Sequence, residues 1–195
     1  MRKLVYYIAS TLDGFIAGPD RSNPTGLEDG FFAVEGDHMT ALLAEYPETV
    51  PGHVREPLGI TAQNRRFDTV LEGRRSYEVG LAEGVANAYP HMRHYVFSRT
   101  MTATADPAVE LVSGDPAAKI RELKRQDGLD IWLCGGGSLA ETLRDEIDEL
   151  HVKLYPVVVG SGTPLFDGEF RPRHLVLEES RAFDSGVVWL RYTTK

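Results

Sequence analysis

The stretch Ile131-Trp132-Leu133-Cys134-Gly135-Gly136-Gly137-Ser138-Leu139-Ala140 decides how this chain folds. Its four apolar residues are typical of a buried strand, and the three glycines lead into a helix-forming pattern. A turn without side chains lets backbone N–H groups approach a ligand closely, and the start of a helix adds partial positive charge there. The stretch is therefore suited to binding a phosphate group.

The glycines match no single phosphate-binding motif completely. Gly135, Gly137 and Ala140 fit only the G/A variant of the G-x-G-x-x-G fingerprint, and no Gly-Lys-Ser/Thr follows as in a P-loop. Glycine-rich turns between a strand and a helix also occur where close packing alone requires them. Phosphate binding and close packing therefore both remain open from this stretch alone.

Length and composition bound the class of protein. The 195 residues are enough for a single domain, residues 1–195, whose core needs no disulfide or metal. A formal net charge of −8 argues against nucleic-acid binding, which requires a basic surface. The sequence shows no secretory leader pattern and no apolar segment of membrane-spanning length, so we expect no membrane partner and a cytoplasmic location.

Metal binding is not expected either. Cys134 is the only cysteine, which excludes an intrachain disulfide and argues against a cysteine-based metal site. His91 and His94 are three residues apart, but no third ligand is in view.

The distribution of apolar residues predicts strands that alternate with helices over the first two-thirds of the chain, followed mostly by strands. Strands are expected at 4–9, 69–71, 94–98, 109–112, 130–134, 149–159, 174–179 and 187–192. Helices are expected at 37–46, from 116 to about 126, and at 139–147, and a further helix is expected to start within 72–77. Asp184-Ser185-Gly186 predicts a hairpin turn between the last two strands. This layout indicates an α/β sandwich with a mainly parallel sheet and an antiparallel edge.

Three polar turns follow predicted strands: Gly73-Arg74-Arg75-Ser76, Ser98-Arg99-Thr100 and Gly135-Gly136-Gly137-Ser138. Ligands of open α/β sheets bind at the carboxyl ends of the strands. The planar guanidinium of arginine suits phosphate oxygens, and serine and threonine hydroxyls add further donors. Each turn alone also fits a capped helix or a solvated loop. Together they predict a ligand with more than one phosphate region, such as a dinucleotide with a 2′-phosphate.

Five short motifs cover nearly the whole chain in a fixed order: residues 9–17, 71–78, 96–100, 134–138 and 156–166. In this order they resemble the dihydrofolate reductase superfamily. The branch that the chain resembles is the reductase domain of the bifunctional riboflavin-biosynthesis deaminase–reductase and its stand-alone bacterial relatives. The resemblance implies a three-layer α/β/α sandwich around a mixed, mostly parallel sheet, with NADPH bound across the strand ends. It also implies a homodimer formed through the C-terminal strands.

The resemblance assigns cofactor contacts to individual residues. It places Gly73, Arg74, Arg75 and Ser76 at the cofactor phosphates, Ser98, Arg99 and Thr100 near the 2′-phosphate, Gly135, Gly136, Gly137, Ser138 and Leu139 at the pyrophosphate, and Ala9, Ile16 and Ala17 beside the nicotinamide.

The proton donor is left open by the sequence. The resemblance places Asp13 near the mouth of the active site and an acidic residue on the first helix, for which Glu35 and Asp37 are the candidates. Complementing the dipole of that helix is an alternative role for Glu35 and Asp37, and water is a further possible proton source. The segment 47–67 is expected to be an insertion beside the substrate.

These observations predict an NADPH-dependent reductase that transfers a hydride to a small heterocycle, either pterin-like, flavin-like or similar to 5-amino-6-(5-phosphoribosylamino)uracil. The cofactor would supply the hydride, and the protein would supply orientation and electrostatics. One alternative is a non-catalytic nucleotide-binding module of the same fold. Another is a domain that binds a different phosphorylated ligand, such as a flavin nucleotide.

Overall fold

The computed structural model describes residues 1–21, 23–25 and 30–195. Across these ranges the chain forms ten strands. They are β1 (Leu4–Thr11), β2 (Phe15–Ala17), β3 (Phe67–Gly73), β4 (Arg93–Phe97), β5 (Val109–Val112), β6 (Asp130–Gly135), β7 (Glu149–Tyr155), β8 (Thr163–Pro164), β9 (Leu175–Ala182) and β10 (Val188–Thr194).

Eight of these strands form one sheet in the order β5-β4-β3-β6-β1-β7-β10-β9, and β2 pairs with β8 in a separate ribbon. The six strands from β5 to β7 are parallel, whereas β10 and β9 are antiparallel. The predicted hairpin turn joins β9 to β10, and Gly186 in that turn has a φ of 83°. The mixed, mostly parallel sheet with an antiparallel edge is therefore confirmed.

The helices lie between these strands. They are α1 (Asp37–Glu45), α2 (Gly52–Arg55), α3 (Arg74–Ala82), α4 (Pro116–Lys124) and α5 (Gly137–Thr142), with 3₁₀ turns at Pro47–Thr49 and Arg144–Glu146. Helix α4 begins where the sequence predicts. The Asp115 carboxylate accepts a hydrogen bond from the backbone N–H of Ala117 at 2.9 Å, and Pro116 occupies the first turn.

Two predicted elements are shorter than expected. The helix predicted at 139–147 ends at Thr142 and tightens into a 3₁₀ turn, because the chain must enter β7 beside β1, where the N–H of Asp148 donates to the carbonyl of Leu4 at 2.9 Å. The strand predicted at 149–159 ends at Tyr155, since Pro156 has no N–H to donate to a neighbouring strand.

Both faces of the sheet are covered, which gives the three predicted layers. On one face, Ile120 of α4 and Leu143 pack against sheet residues such as Leu133, and all three side chains are fully buried. On the other face, Leu42 of α1 and the neighbouring Tyr46 pack in an aromatic-rich cluster that includes Tyr7, Phe67, Trp132 and Trp189. Full burial of a large apolar side chain contributes about 1.5–3 kcal/mol, so these two layers dominate stability.

The two ends of the segment 47–67 are joined by hydrogen bonds to one buried acid. Glu48 is fully buried, and its carboxylate accepts hydrogen bonds from the backbone N–H groups of Arg65 at 3.1 Å, Arg66 at 2.8 Å and Phe67 at 2.7 Å. These three donors offset the cost of burying the charge. The first part of this segment forms the 3₁₀ turn and the short helix α2. No helix in the described ranges has the length and apolarity needed to cross a membrane.

Candidate active site

A cavity of about 1030 Å³ opens at the carboxyl ends of β3, β4 and β6. All three polar turns predicted from the sequence, 73–76, 98–100 and 135–138, line this cavity. They meet because β4, β3 and β6 are adjacent and parallel, so their carboxyl ends lie at one edge of the sheet. The turns after β3 and β6 are in close proximity, since a Cβ atom added at Gly73 would lie 3.7 Å from the backbone nitrogen of Gly136.

The turns after β3 and β4 are joined by Arg74. Its guanidinium donates to the Thr100 hydroxyl through Nη1 at 2.9 Å and to the Glu78 carboxylate through Nε at 2.6 Å. Arg75 and Arg99 are exposed at the cavity, and their side chains make neither a hydrogen bond nor an ion pair with any residue in the described ranges. Their guanidinium groups are therefore available for an anionic ligand.

Backbone donors add to this positive region. Helix α3 begins at Arg74 directly after Gly73, and no side chain caps its first turn. The unpaired N–H groups at the start of a helix are a suitable site for a phosphate. In the next turn, the Ser98 hydroxyl accepts hydrogen bonds from the N–H groups of Thr100 at 3.2 Å and Met101 at 3.0 Å, which fixes the shape of that turn.

The three glycines after β6 have different roles. A Cβ atom at Gly137 would lie 2.2 Å from the carbonyl oxygen of Pro164, so close packing against β8 requires glycine at this position. A Cβ atom at Gly136 would meet only the Ser76 hydroxyl, at 3.6 Å, and Gly135 has a φ of 150° beside the same hydroxyl. Gly135 and Gly136 thus leave room in the cavity, while Gly137 serves packing.

Every cofactor residue predicted from the sequence lines the cavity except Ala9. Ile16, Ala17 and Leu139 line it as expected. Ala9 instead packs against the aromatic cluster that contains Phe32. Since successive residues of a strand point to opposite faces of the sheet, its neighbour Ile8 lines the cavity in its place.

Asp13 lies outside the residues that line the cavity and connects two loops. Its carboxylate accepts hydrogen bonds from the Thr11 hydroxyl at 2.6 Å and from the backbone N–H groups of Gly160 at 2.7 Å and Val159 at 3.1 Å. The hydrogen bond from Thr11, with those from the backbone, lowers the pKa of Asp13, which is the opposite of what a proton donor requires. This geometry favours a structural role for Asp13.

The two acidic candidates near α1 are also absent from the lining of the cavity. The Asp37 carboxylate accepts hydrogen bonds from the backbone N–H groups of Asp184 at 2.8 Å and Ser185 at 3.1 Å, and so it holds the hairpin turn between β9 and β10. Glu35 is exposed just before the helix. The structure therefore brings none of the three predicted acids into the cavity.

The family of the chain follows from its sequence over almost its full length. Residues 2–189 match the family model described as the RibD C-terminal domain. The chain belongs to the RibD C-terminal domain family. The uncharacterized protein YwjB of Bacillus subtilis (strain 168) is similar to it, with 31% identity over 95% of each chain.

Solved structures share the fold of this RibD C-terminal domain protein. Dihydrofolate reductase from Enterococcus faecalis, complexed with NADP(H), has a TM-score of 0.65 and 13% identity, and covers 99% of this chain and 96% of its own. The diaminohydroxyphosphoribosylaminopyrimidine deaminase/5-amino-6-(5-phosphoribosylamino)uracil reductase of Thermotoga maritima has a TM-score of 0.60 and 16% identity. The alignment with it covers all of this chain and 57% of the longer enzyme. At these identities the similarity concerns the fold, which confirms the predicted dihydrofolate-reductase-like architecture.

In this RibD C-terminal domain protein, the cavity also contains a buried acid that the sequence interpretation missed. Glu72, the penultimate residue of β3, lines the cavity at 6% exposure, and its Oε2 lies 2.7 Å from Nε2 of His94 on β4. The available signal was a glutamate that directly follows the apolar pair Val70-Leu71 near the end of the strand. Nε2 of His94 thus faces Glu72, and the described residues contain no cluster of three potential metal ligands.

Proposed function

We propose that the protein is an NADPH-dependent reductase that transfers a hydride to a small heterocyclic substrate of the pterin, flavin or 5-amino-6-(5-phosphoribosylamino)uracil type. The observation that carries the proposal is the convergence of three turns, rich in arginine, hydroxyl and backbone N–H donors, on one cavity at the strand ends. Membership of the RibD C-terminal domain family supports oxidoreductase chemistry.

The residues at the cavity fit the shape and charge of NADPH. Space beside Gly135 and Gly136 suits the pyrophosphate. Arg75 and Arg99, whose side chains have no partner among the described residues, suit further phosphate oxygens. Ile16 and Ala17 offer an apolar wall for the nicotinamide ring. When bound, the cofactor supplies a hydride, and the chain contributes binding, orientation and exclusion of water.

Thermal melting in the presence of dinucleotides tests this proposal. NADPH should raise the melting temperature, because a ligand at about 100 times its Kd stabilises the folded state by about 2.7 kcal/mol. FMN serves as the comparison, since a larger shift with FMN would favour the alternative of a flavin-nucleotide site. The absence of any saturable shift with NADPH would rule the proposal out.

Two further expectations remain part of the proposal. A non-catalytic module of the same fold would bind NADPH without oxidising it, so loss of absorbance at 340 nm with any acceptor of the three heterocycle classes would exclude that alternative.

A homodimer through the C-terminal strands predicts twice the monomer mass in light scattering. The edge strand β9 leaves Val176 and Leu177 exposed for such a contact.

A further inference from the structure

Glu72 differs from the other acids of the cavity by its burial. The remaining carboxyl side chains among the described residues that line the cavity are those of Glu78, Glu83 and Asp167. Glu78 is paired with Arg74 and its side chain is 43% exposed, while Glu83 and Asp167 are exposed. Glu72 is thus the buried carboxyl among the described residues that line the cavity.

The neighbours of His94 determine how many protons the Glu72–His94 pair holds. Asn87 Oδ1 accepts a hydrogen bond from the backbone N–H of Tyr89 at 3.1 Å, which orients the amide oxygen towards the ring. His94 Nδ1 lies 3.2 Å from the same oxygen and must therefore donate to it. The opposite nitrogen, Nε2, faces Glu72 at 2.7 Å, so one proton is shared between the ring and the carboxyl. The pair is neutral overall whichever partner carries that proton.

The surroundings shield the histidine of the pair from water. The rings of Tyr77 and Tyr89 stand edge-on to His94 with centroids 6.0 Å and 5.9 Å away, and the His94 side chain is fully buried. Cys134 and Tyr89 line the same cavity as Glu72. Burial raises the pKa of both Cys134 and Tyr89, so these neighbours stay protonated and add no charge.

Stability alone does not explain the pair. A buried ion pair is often no more stabilising than apolar residues of the same volume, because desolvation offsets the attraction. A carboxyl that lines a ligand cavity and shares a proton with a buried histidine is instead typical of a group that takes part in chemistry.

We propose that Glu72 donates the proton in the reduction, and that His94 is a positioning residue that supplies this proton to Glu72. The inference rests on the proposed reductase function. In the step, a hydride adds to the carbon of a C=N or C=O bond of the substrate, and reduced nicotinamide becomes oxidised nicotinamide. The π-electron pair moves to the nitrogen or oxygen, which takes the proton from Glu72. The pair is left with one negative charge and regains its proton from water.

The variant Glu72→Gln tests the donor, and Glu149→Gln is its matched control. Glu149 also pairs with a buried histidine, His151, at 2.8 Å on the same face of the sheet, but it is not among the residues that line the cavity. NADPH affinity is measured by fluorescence titration, and turnover at 340 nm with dihydrofolate, FMN and 5-amino-6-(5-phosphoribosylamino)uracil. We expect Glu72→Gln to keep the Kd for NADPH within about threefold and to lose about 100-fold or more in kcat, as for loss of a general acid. Glu149→Gln should keep kcat within about threefold of the wild type.

The outcomes separate this inference from the proposed function. A wild-type protein that fails to bind NADPH contradicts the proposed function itself. A wild-type protein that binds NADPH but reduces none of the three acceptors, or a Glu72→Gln variant that keeps kcat within about fivefold, overturns the role of Glu72.

A second measurement does not depend on turnover. In ¹⁵N-histidine-labelled protein, with the His94 signals assigned by comparison with His94→Gln, Nδ1 of His94 should carry a proton. An unprotonated Nδ1 would overturn the inference. His94→Gln should lower kcat and change its pH profile while KM and the Kd for NADPH stay unchanged. A merely structural role would lower the melting temperature and leave the pH profile of kcat as it is.

Discussion

The Arg74 guanidinium donates to the Thr100 hydroxyl across 2.9 Å and so joins the turn after β3 to the turn after β4. Arg74 also pairs with Glu78 within helix α3, so its guanidinium is engaged by two protein partners. Arg99, next to Thr100, forms no such bond with the residues that the structure describes. Of these two arginines, Arg99 is therefore the one that is free to recognise a ligand.

Arg99→Ala should weaken binding of NADPH more than binding of NADH. If Arg99 contacts the 2′-phosphate, its removal eliminates a charge-assisted hydrogen bond, which contributes about 1.5–3 kcal/mol, or roughly tenfold or more in Kd. NADH has no 2′-phosphate and should be nearly unaffected. Isothermal titration with both cofactors measures the difference, and Arg121→Ala on α4, outside the cavity, is the control. Equal losses for the two cofactors would exclude Arg99 as the 2′-phosphate contact.

Gly137→Ala should lower stability, whereas Gly136→Ala should weaken NADPH binding. The new Cβ atom at position 137 would collide with the carbonyl oxygen of Pro164 at 2.2 Å, so the backbone must move, at a cost of about 1–3 kcal/mol or more. At position 136 the φ of −93° accepts alanine, and the nearest atom is the Ser76 hydroxyl at 3.6 Å. The methyl group there projects into the space that we assign to the pyrophosphate.

Denaturant unfolding and NADPH titration distinguish the two variants. Gly137→Ala should unfold at a lower denaturant concentration than the wild type. Gly136→Ala should keep the wild-type midpoint and lose NADPH affinity. A Gly136→Ala variant that binds NADPH as the wild type does would show that this turn does not contact the cofactor.

The sequence predicted the cofactor side of the cavity because that side is built from local signals. Each turn consists of consecutive residues that follow a recognisable strand, and parallel neighbouring strands bring such turns to one edge. The packing role of Gly137 was indistinguishable from phosphate binding in the sequence, since it depends on Pro164, which is far away along the chain.

The proton-donor side was not predictable because it depends on strand register. His94 pairs in register with Val70, which places it on the same face as Glu72, two residues further along β3. A single sequence specifies the alternation of a strand but not its offset from the next one. The same holds for Asp13, whose carboxylate is occupied by Gly160, 147 positions away.

Asp13→Asn should lower the melting temperature without removing activity. The side chain connects the turn after β1 to the loop after β7 through the N–H groups of Val159 and Gly160. An uncharged amide accepts these hydrogen bonds more weakly than a carboxylate. We expect kcat to stay within about tenfold of the wild type, whereas loss of a general acid costs about 100-fold or more. An inactive variant with an unchanged melting temperature would restore Asp13 as a catalytic candidate.

Glu149 should make the folded state sensitive to acid. Hydrogen bonds from His151 and Lys3 lower the pKa of Glu149 from 4.5 to about 2. Because the folded-state pKa lies below the unfolded value, the stabilisation is complete above pH 4.5 and disappears as the pH falls towards 2. A difference of this size corresponds to about 3 kcal/mol at neutral pH. The free energies of unfolding of the wild type and Glu149→Gln are measured in urea at pH 7, 5, 4 and 3. The difference between them should be largest at pH 7 and should become smaller as the pH falls. A difference that stays constant over this range would show that the Glu149 carboxylate does not titrate with folding.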